Sequence, residues 1–457
     1  MDPSSFASLK ERLIAFMESD IYPNELKFIE QCREFSRSNE WTHAPILMEL
    51  KRKAKKLKLW NMFLPVDSAA AAGEQGKLGG GLTNLQYAEI CEILGTSTPA
   101  EFAAQATNCT SPDTGNMEVL ARYGTAAQRE KWLVPLLEGR IRSCYAMTEP
   151  AVASSDATNI ATRIERDERT GEYVINGRKW YITGAGSLHC EIMILMGKTA
   201  RGSDVPRHRQ QSQILVPMNT PGITLLRPMD AFGEDDAPKG HMEILFEDVR
   251  VPFENVLLGE GKGFEISQGR LGPGRIHHCM RAIGQAERAL SLMCKRVQER
   301  TAFGKKFSKF DTILQDIAKS RAEIDMCRLL IHKAADLMDK RGNKDPETRQ
   351  LLSMVKAETP IRMQAVADKV IQAHGAMGVS QDTPLFHMFA GARWLRLADG
   401  PDEVHWRTAA RIELRRQKES RLFKIGHYLP DRSRVFRRST DPISEEAKER
   451  LRLYSKI

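Results

Sequence analysis

The sequence predicts an α+β protein in which a helical block, a β block and a second helical block follow one another, and three observations lead there. Residues 1–140 carry apolar residues at the three- and four-residue spacing of amphipathic helices. Residues 141–258 break into short, alternating, β-branched runs. From Gly263 to about residue 420 the helical spacing returns in long stretches. The expected boundaries are 1–140 for an N-terminal helical domain, 141–258 for a central β domain, 259–429 for a C-terminal helical bundle, and 430–457 for a charged, loosely packed tail.

In the first block, "LPVDSAAAAGEQGKLGGGLTN" (64–84) reads as a Gly-rich loop between helices that borders a ligand site, and "KRKAKKLK" (51–58) as the polar face of an ordinary helix. In the second, "ATRIERDERTGEYVINGRKWYITGAG" (161–186) supplies strands, with turns expected at Thr170-Gly171 and Asn176-Gly177. "SQILVPM", "GITLLRPM" and "HMEILFEDVRVP" add further strands. In the third, "GQAERALSLMCKRVQERTAFG" and "TILQDIAKSRAEIDMCRLLIHKAADLMDK" each read as one long helix.

Composition closes several function classes. With 457 residues, 41% hydrophobic and 28% charged, the chain has length for two or three domains and a substantial core. "EIMILMGK" (191–198) is only strand-sized, so no membrane span is expected. Eight cysteines without a CxxC pair suggest neither a zinc site nor a disulfide framework, and no metal is expected. The net charge of +9 is not concentrated on an element with stacking aromatics, which argues against nucleic acid and suits phosphate-bearing small molecules.

The stretch "LADGPDEVHW" (397–406) reads locally as a helix start, because Asp399 precedes Gly400 and Pro401, with Asp402 and Glu403 just inside. Carboxylates there accept free N–H groups and suit the positive end of the helix dipole. A catalytic reading competes with this one.

"YAMTEP" (145–150), "SSDATNI" (154–160) and "INGRKWYITGAG" (175–186) resemble the flavin-facing signature of the acyl-CoA dehydrogenase family. "ERTAFGKKFSKFDTILQDIA" (299–318) resembles the family's helix that reaches the flavin of a neighbouring subunit. "IQAHGAMGVSQDTPLFHMFAGARWLRLADGPDEVH" (371–405) resembles the segment with the second flavin contact and the catalytic carboxylate. The resemblance implies that fold, with FAD as cofactor held between the β domain and the helical bundle. It implies that Thr148 and Thr183 contact the isoalloxazine and that Tyr181 packs beside it. Tyr145 and Met147 share the motif, and Ser155 sits near the diphosphate and the thioester. Arg300 and Gln372 would hold diphosphate oxygens, Gly375 would let backbone approach, and Phe303 would lie against the adenosine. Because that contact crosses a subunit boundary in the family, a homodimer or homotetramer is implied.

The same resemblance assigns the base. Proton removal beside a thioester needs a carboxylate in a desolvated pocket, which is expected to raise its pKa toward neutrality. Most of the family places a Glu at the position of Asp399, and some members place it at the position of Gly274, which has no carboxylate here. Asp399 is therefore the expected acceptor, with Arg275 and Gly400 beside the substrate. The loop "AVASSD" (151–156) departs from the usual Gly-x-Gly-Ser-Asp. It resembles a subgroup in which some members carry a kinase-like domain and act on hydroxyacyl-CoA after phosphorylating it. No kinase signature stands upstream here, so phosphorylation is expected to need another protein. The implied reaction is dehydrogenation of an acyl-CoA, with electrons passed to a flavoprotein acceptor or to oxygen. Two rivals stay open: a nitroalkane oxidase-like enzyme, which shares fold and flavin and uses an Asp, and a flavin-containing scaffold without turnover.

The first twenty residues carry four acidic side chains, unlike a mitochondrial transit peptide. The C-terminal Ser455-Lys456-Ile457 differs from the Ser-Lys-Leu peroxisomal address only in its last residue. A peroxisomal location is expected, with mitochondrial or cytoplasmic as the alternatives.

Overall fold

The computed structural model describes residues 3–38, 40–98, 101–200, 202, 204–420 and 444–454. Met1–Ala409 form one compact unit and Ala410–Ile457 a second. Nine helices open the described chain: α1 Pro3–Phe16, α2 Glu25–Ser38, α3 Pro45–Lys56, α4 Val66–Ala71, α5 Asn84–Gly95, α6 Phe102–Ala106, α7 Asp113–Tyr123, α8 Ala126–Gln128 and α9 Val134–Leu137. Strands follow: β1 Arg142–Ala146, β2 Arg163–Asp167, β3 Glu172–Thr183, β4 Cys190–Lys198, β5 Gln211–Pro217, β6 Ile223–Pro228 and β7 His241–Pro252. They make one mixed sheet in the order β1-β4-β2-β3-β7-β6, with β5 paired to β4. The second helical set is α10 Gly263–Glu299, α11 Asp311–Arg341, α12 Pro346–His374, α13 Leu385–Leu395 and α14 Asp402–Glu419, with a two-stranded hairpin, β8 Thr301–Ala302 and β9 Lys305–Lys306, between α10 and α11. The described helices end with α15 Glu445–Tyr454. Among the described residues no helix is long and apolar enough to cross a membrane.

The alternation of β4 shows how sheet and helices share a core. Ile192 and Ile194 join the helical core, while Met193 and Leu195, on the opposite face, join a second core within the sheet domain. Both faces of β4 are thus buried, and its run is continuously apolar. The helical core contains residues of α1, α3, α5 and α7 together with α10, α11 and α12, so the first and last helical blocks pack as one mass.

Several local expectations change. The 64–84 segment is not a plain loop: it holds α4 and a 3₁₀ turn, and α5 starts on a Thr83/Gln86 capping box. Asn176-Gly177 is not a turn but lies inside β3 at a register shift, where a Cβ on Gly177 would stand 2.6 Å from Thr162 Oγ1. The helix expected through Gly304 ends at Glu299, and the hairpin takes its place. Within the expected loose tail, α15 forms on a run with acidic residues in its first turn and Lys448–Glu445 and Arg450–Glu446 pairs. Ser455-Lys456-Ile457 lie outside the described residues.

Two glycines set the crossing of α5 over α10. A Cβ on Gly95 would meet the Arg281 carbonyl at 2.3 Å, and one on Gly284 would meet the Glu92 carbonyl at 2.1 Å. This backbone-to-backbone approach brings the segment after α5 against the middle of α10. Gly284→Ala is expected to destabilise the protein by about 1–3 kcal/mol, since no flexible side chain can give way. Chemical denaturation measures it, and an unchanged midpoint would mean that the two helices separate freely.

Candidate active site

A cleft of about 1280 Å³ is bounded by α2, the segment after α5, the 230–241 loop, α10 and the turn between α13 and α14. Asp399 stands on its wall, with a left-handed φ of 55°. Gly400 follows at φ 104°, and a Cβ there would lie 2.9 Å from His405 Nε2. His405 Nε2 donates to the Asp399 carbonyl at 3.1 Å, and buried Lys356 donates to the carbonyls of Leu395 and Gly400. Asp399 does not cap α14, as the local reading of the sequence suggested. N-cap residues take extended backbone angles, and among the described residues no amide of α14 donates to this carboxylate.

The carboxylate faces α10. A Cβ on Gly274 would lie 3.8 Å from Asp399 Oδ2, so the two positions named from sequence as alternative homes for the base converge on one point. His278, one turn further on, places Nε2 3.8 Å from the same oxygen. The expectation of a pKa raised toward neutrality is not met. Burial does push it up, but His278 in its protonated form, together with Arg270, Arg275 and Lys356, outweighs burial and holds Asp399 below its ordinary value. Arg281 Nη2 donates to His278 Nδ1 at 2.9 Å, which leaves the ring proton on Nε2, toward Asp399. His278 is lowered to about 4, by burial first and then by Arg281, so near neutral pH it offers Asp399 a dipole rather than a full charge. The standing cations are Arg270, Arg275 and Lys356. Arg275 is lowered by burial and raised by Asp399, and its Nε has no described partner.

Beyond Asp399 the cleft is polar. Glu101 pairs with Arg281 at 3.1 Å and Lys239 at 3.0 Å, and accepts from the Thr110 hydroxyl at 2.6 Å. Burial favours its protonation, yet Arg281, Lys239 and His278 hold it well below its ordinary value.

The strand motifs meet beside this cleft. Thr148 Oγ1 donates to the Trp180 carbonyl at 2.6 Å, which zips the "YAMTEP" segment to β3. Beneath it, fully buried Lys179 donates to Glu149 Oε1 at 2.8 Å and to the carbonyls of Met147 and Met196. Glu149 in turn accepts from the amides of Ala161 and Thr162 and from the Thr162 hydroxyl. Thr183, on the cleft wall, is 2.9 Å from His241 Nδ1, and the Tyr181 and Trp394 rings lie 5.5 Å apart. Tyr145 lies under the Arg270 guanidinium at 4.0 Å, with its hydroxyl held by Ser267 and Gln213. Ser155 is exposed on its loop.

Arg300, Phe303, Gln372 and Gly375 are elsewhere. Arg300 lies about 38 Å further along α10 than Arg275, at 1.5 Å per residue. Phe303 sits at the hairpin tip rather than in a helix, with φ 51° and a ring 96% exposed. Gln372 is exposed at the end of α12, and Gly375 terminates that helix at φ 65°. The ends of α10 and α12 are neighbours: His374, lowered first by burial, also feels the charge of Arg296. One chain thus holds two groups of motif residues, at separate levels of the bundle.

Two family models match the chain: the acyl-CoA dehydrogenase middle domain over residues 144–249 and the C-terminal domain over 261–414. The Mycobacterium tuberculosis protein named Probable acyl-CoA dehydrogenase FadE2 is 50% identical over 90% of this chain and 96% of its own length. The chain belongs to the acyl-CoA dehydrogenase family. Acyl-CoA dehydrogenase family member 10 of Mus musculus is 53% identical over 90% of this chain, which spans only 37% of that longer protein. A solved Mycobacterium abscessus protein, described only at the level of acyl-CoA dehydrogenase, superposes with a TM-score of 0.83 at 44% identity, over 91% of this chain and 99% of that one.

Sequence reasoning missed His278, Arg281, Glu101, Arg270, Lys356, His405 and Trp394. His278 and Arg281 carried a signal, since they follow Gly274 at helical spacing on one face of α10. Glu101 and Lys239 reach the site from separate segments and carried none.

Two predictions follow from the charges. Lys179→Met leaves Glu149 buried without its cation and is expected to cost about 3–5 kcal/mol, measured by chemical denaturation; a loss below about 1 kcal/mol would contradict this. Because the folded pKa of Asp399 is depressed, its ionisation stabilises the fold above the unfolded carboxylate pKa and ceases to as pH falls through the folded value. The stability gap between wild type and Asp399→Asn should be widest above about pH 5 and shrink below about pH 4. A gap that widens with acid would reverse the assignment.

Proposed function

We propose that the chain dehydrogenates an acyl-CoA thioester between its α and β carbons, with Asp399 removing the α-proton and FAD, when bound, accepting the β-hydride. One observation carries this reading. The Asp399 carboxylate stands in the cleft opposite Gly274, with the unpartnered Arg275 Nε on the neighbouring residue of α10. Arg275 and Gly400 are not themselves on the cleft wall but are chain neighbours of Gly274 and Asp399; on this reading Arg275 would orient the thioester and Gly400 would let it approach the turn.

The residues present fit FAD. Thr148 and Thr183 offer hydroxyls for the polar edge of a flat ring, beside the aromatic pair Tyr181 and Trp394. Tyr145 and Met147 support that edge from β1 and the turn after it, and Ser155 lies on the loop assigned to the diphosphate. Arg300 and Gln372 would take diphosphate oxygens, with Phe303 against the adenosine and Gly375 admitting backbone. Since these four lie far along the bundle from Asp399, a second copy of the chain would complete each site, giving a homodimer or homotetramer. An exposed Phe303 ring favours such a contact. Electrons would leave to an acceptor flavoprotein or to oxygen. A peroxisomal address at Ser455-Lys456-Ile457 belongs to the same reading, and a reporter ending in these residues that stays dispersed in the cytosol would remove it.

The FAD-loaded protein, mixed anaerobically with butyryl-, octanoyl- and palmitoyl-CoA, should lose its flavin absorbance with at least one of them. Asp399→Asn should keep FAD and slow that loss by at least about 100-fold, while Asp399→Glu keeps part of the rate. Near-wild-type bleaching by the Asn variant would remove Asp399 as base. Oxygen uptake with nitroalkanes, without bleaching by any acyl-CoA, would favour the oxidase reading.

A further inference from the structure

Lys356 is fully buried on α12 and no carboxylate lies within ion-pairing distance of it among the described residues. Its ammonium donates instead to two backbone carbonyls, Leu395 at the end of α13 and Gly400, the residue after Asp399. A buried cation of this kind is costly unless a nearby anion compensates it. The anions acting on it include Asp399 and Asp402. Asp402 is paired with Arg396 at 2.7 Å, and of the two carboxylates Asp399 acts on Lys356 the more strongly. The two carbonyls bracket the segment 396–399, so the same ammonium fixes the backbone that carries Asp399 and favours its anion.

We propose that Lys356 is the positioning residue of Asp399: its ammonium clamps the carbonyls of Leu395 and Gly400, and with them the turn between α13 and α14, so that the carboxylate faces Gly274. The inference rests on Asp399 being the base of the proposed dehydrogenation. Lys356 itself does not line the cleft, so it acts through Asp399 rather than on the substrate. The other charged or titratable groups facing Asp399 are Arg270, Arg275, His278 and Cys279 on α10, Tyr145 on β1 and His405 on α14, with Glu101 and Arg281 behind His278.

Lys356→Gln keeps an N–H donor and removes the charge, while Lys356→Met removes both. In FAD-loaded protein, flavin bleaching by octanoyl-CoA, or by whichever of the three acyl-CoAs bleaches wild type, is followed against pH. The Gln variant should bleach about 10–100-fold more slowly at saturation, with the half-saturating concentration changed less than about 3-fold. Its acid limb should move up by about one pH unit, because the removed cation no longer favours the carboxylate. A merely structural lysine would leave the limb in place. Thermal melts of Lys356→Met, Asp399→Asn and the double variant supply a readout independent of turnover. Removing either charge takes a compensating partner from the other, so the double variant should melt above the temperature expected from the sum of the single losses. Additive melts with an unmoved acid limb would overturn the inference. If wild type bleaches with no acyl-CoA, the dehydrogenase reading falls, and the melts alone decide whether Lys356 holds Asp399. If the Met variants do not fold, the Gln variant alone and combined with Asp399→Asn takes their place.

Discussion

A carboxylate on a residue with left-handed backbone needs external support, since φ 55° is costly for any residue but glycine, even for aspartate, which tolerates it better than most. Much of the bundle supplies that support to Asp399. From α12, Lys356 holds the carbonyls on either side of the turn, and from α14, His405 holds the Asp399 carbonyl. From α10, the bare backbone of Gly274 leaves space opposite the carboxylate, and Arg270, Arg275 and His278 surround it. The glycine crossing of α5 over α10 then sets Glu101 behind His278 and Arg281. The catalytic reading of Asp399 and the helix packing are therefore one constraint seen at two scales.

The charge balance in the cleft has a functional meaning. The surrounding positive groups outweigh desolvation and favour Asp399 as a carboxylate, the form a base needs. An acyl thioester filling the cleft would exclude water and strengthen every remaining charge interaction in it, desolvation of Asp399 included. On the proposed reading, Asp399 would be ionised before substrate arrives and would become more proton-seeking once water is displaced. The polar stretch around Glu101, Arg281 and Lys239 shows that the cleft is not a simple apolar tunnel.

The alternation of helical and strand periodicity carried the α–β–α order, because periodicity reports which face is buried and the large cores here bury faces in regular steps. Local exceptions escaped for identifiable reasons. Asn176-Gly177 has turn chemistry, but close approach to Thr162 required the glycine within a strand. Phe303 sits in a run of helical texture, yet the hairpin breaks it. At the site, Asp399, Arg275 and Gly274 were legible from motif order, and the structure brings them together. Glu101, Lys239 and Trp394 were not, since they come from separate segments whose meeting depends on packing. The low pKa of Asp399 was also out of reach, because it depends on which cations the fold gathers rather than on burial alone.

The central claim is that one point in the cleft, reachable from position 399 or position 274, is where the α-proton is taken. Moving the carboxylate tests it most directly. Asp399→Gly, which suits the left-handed backbone, should abolish anaerobic flavin bleaching by the acyl-CoA that bleaches wild type, and adding Gly274→Glu to that variant should restore a measurable part of the rate. A double variant that binds FAD and acyl-CoA, keeps its fold and still shows no bleaching would contradict the account. Undiminished bleaching by Asp399→Gly alone would contradict it more directly still.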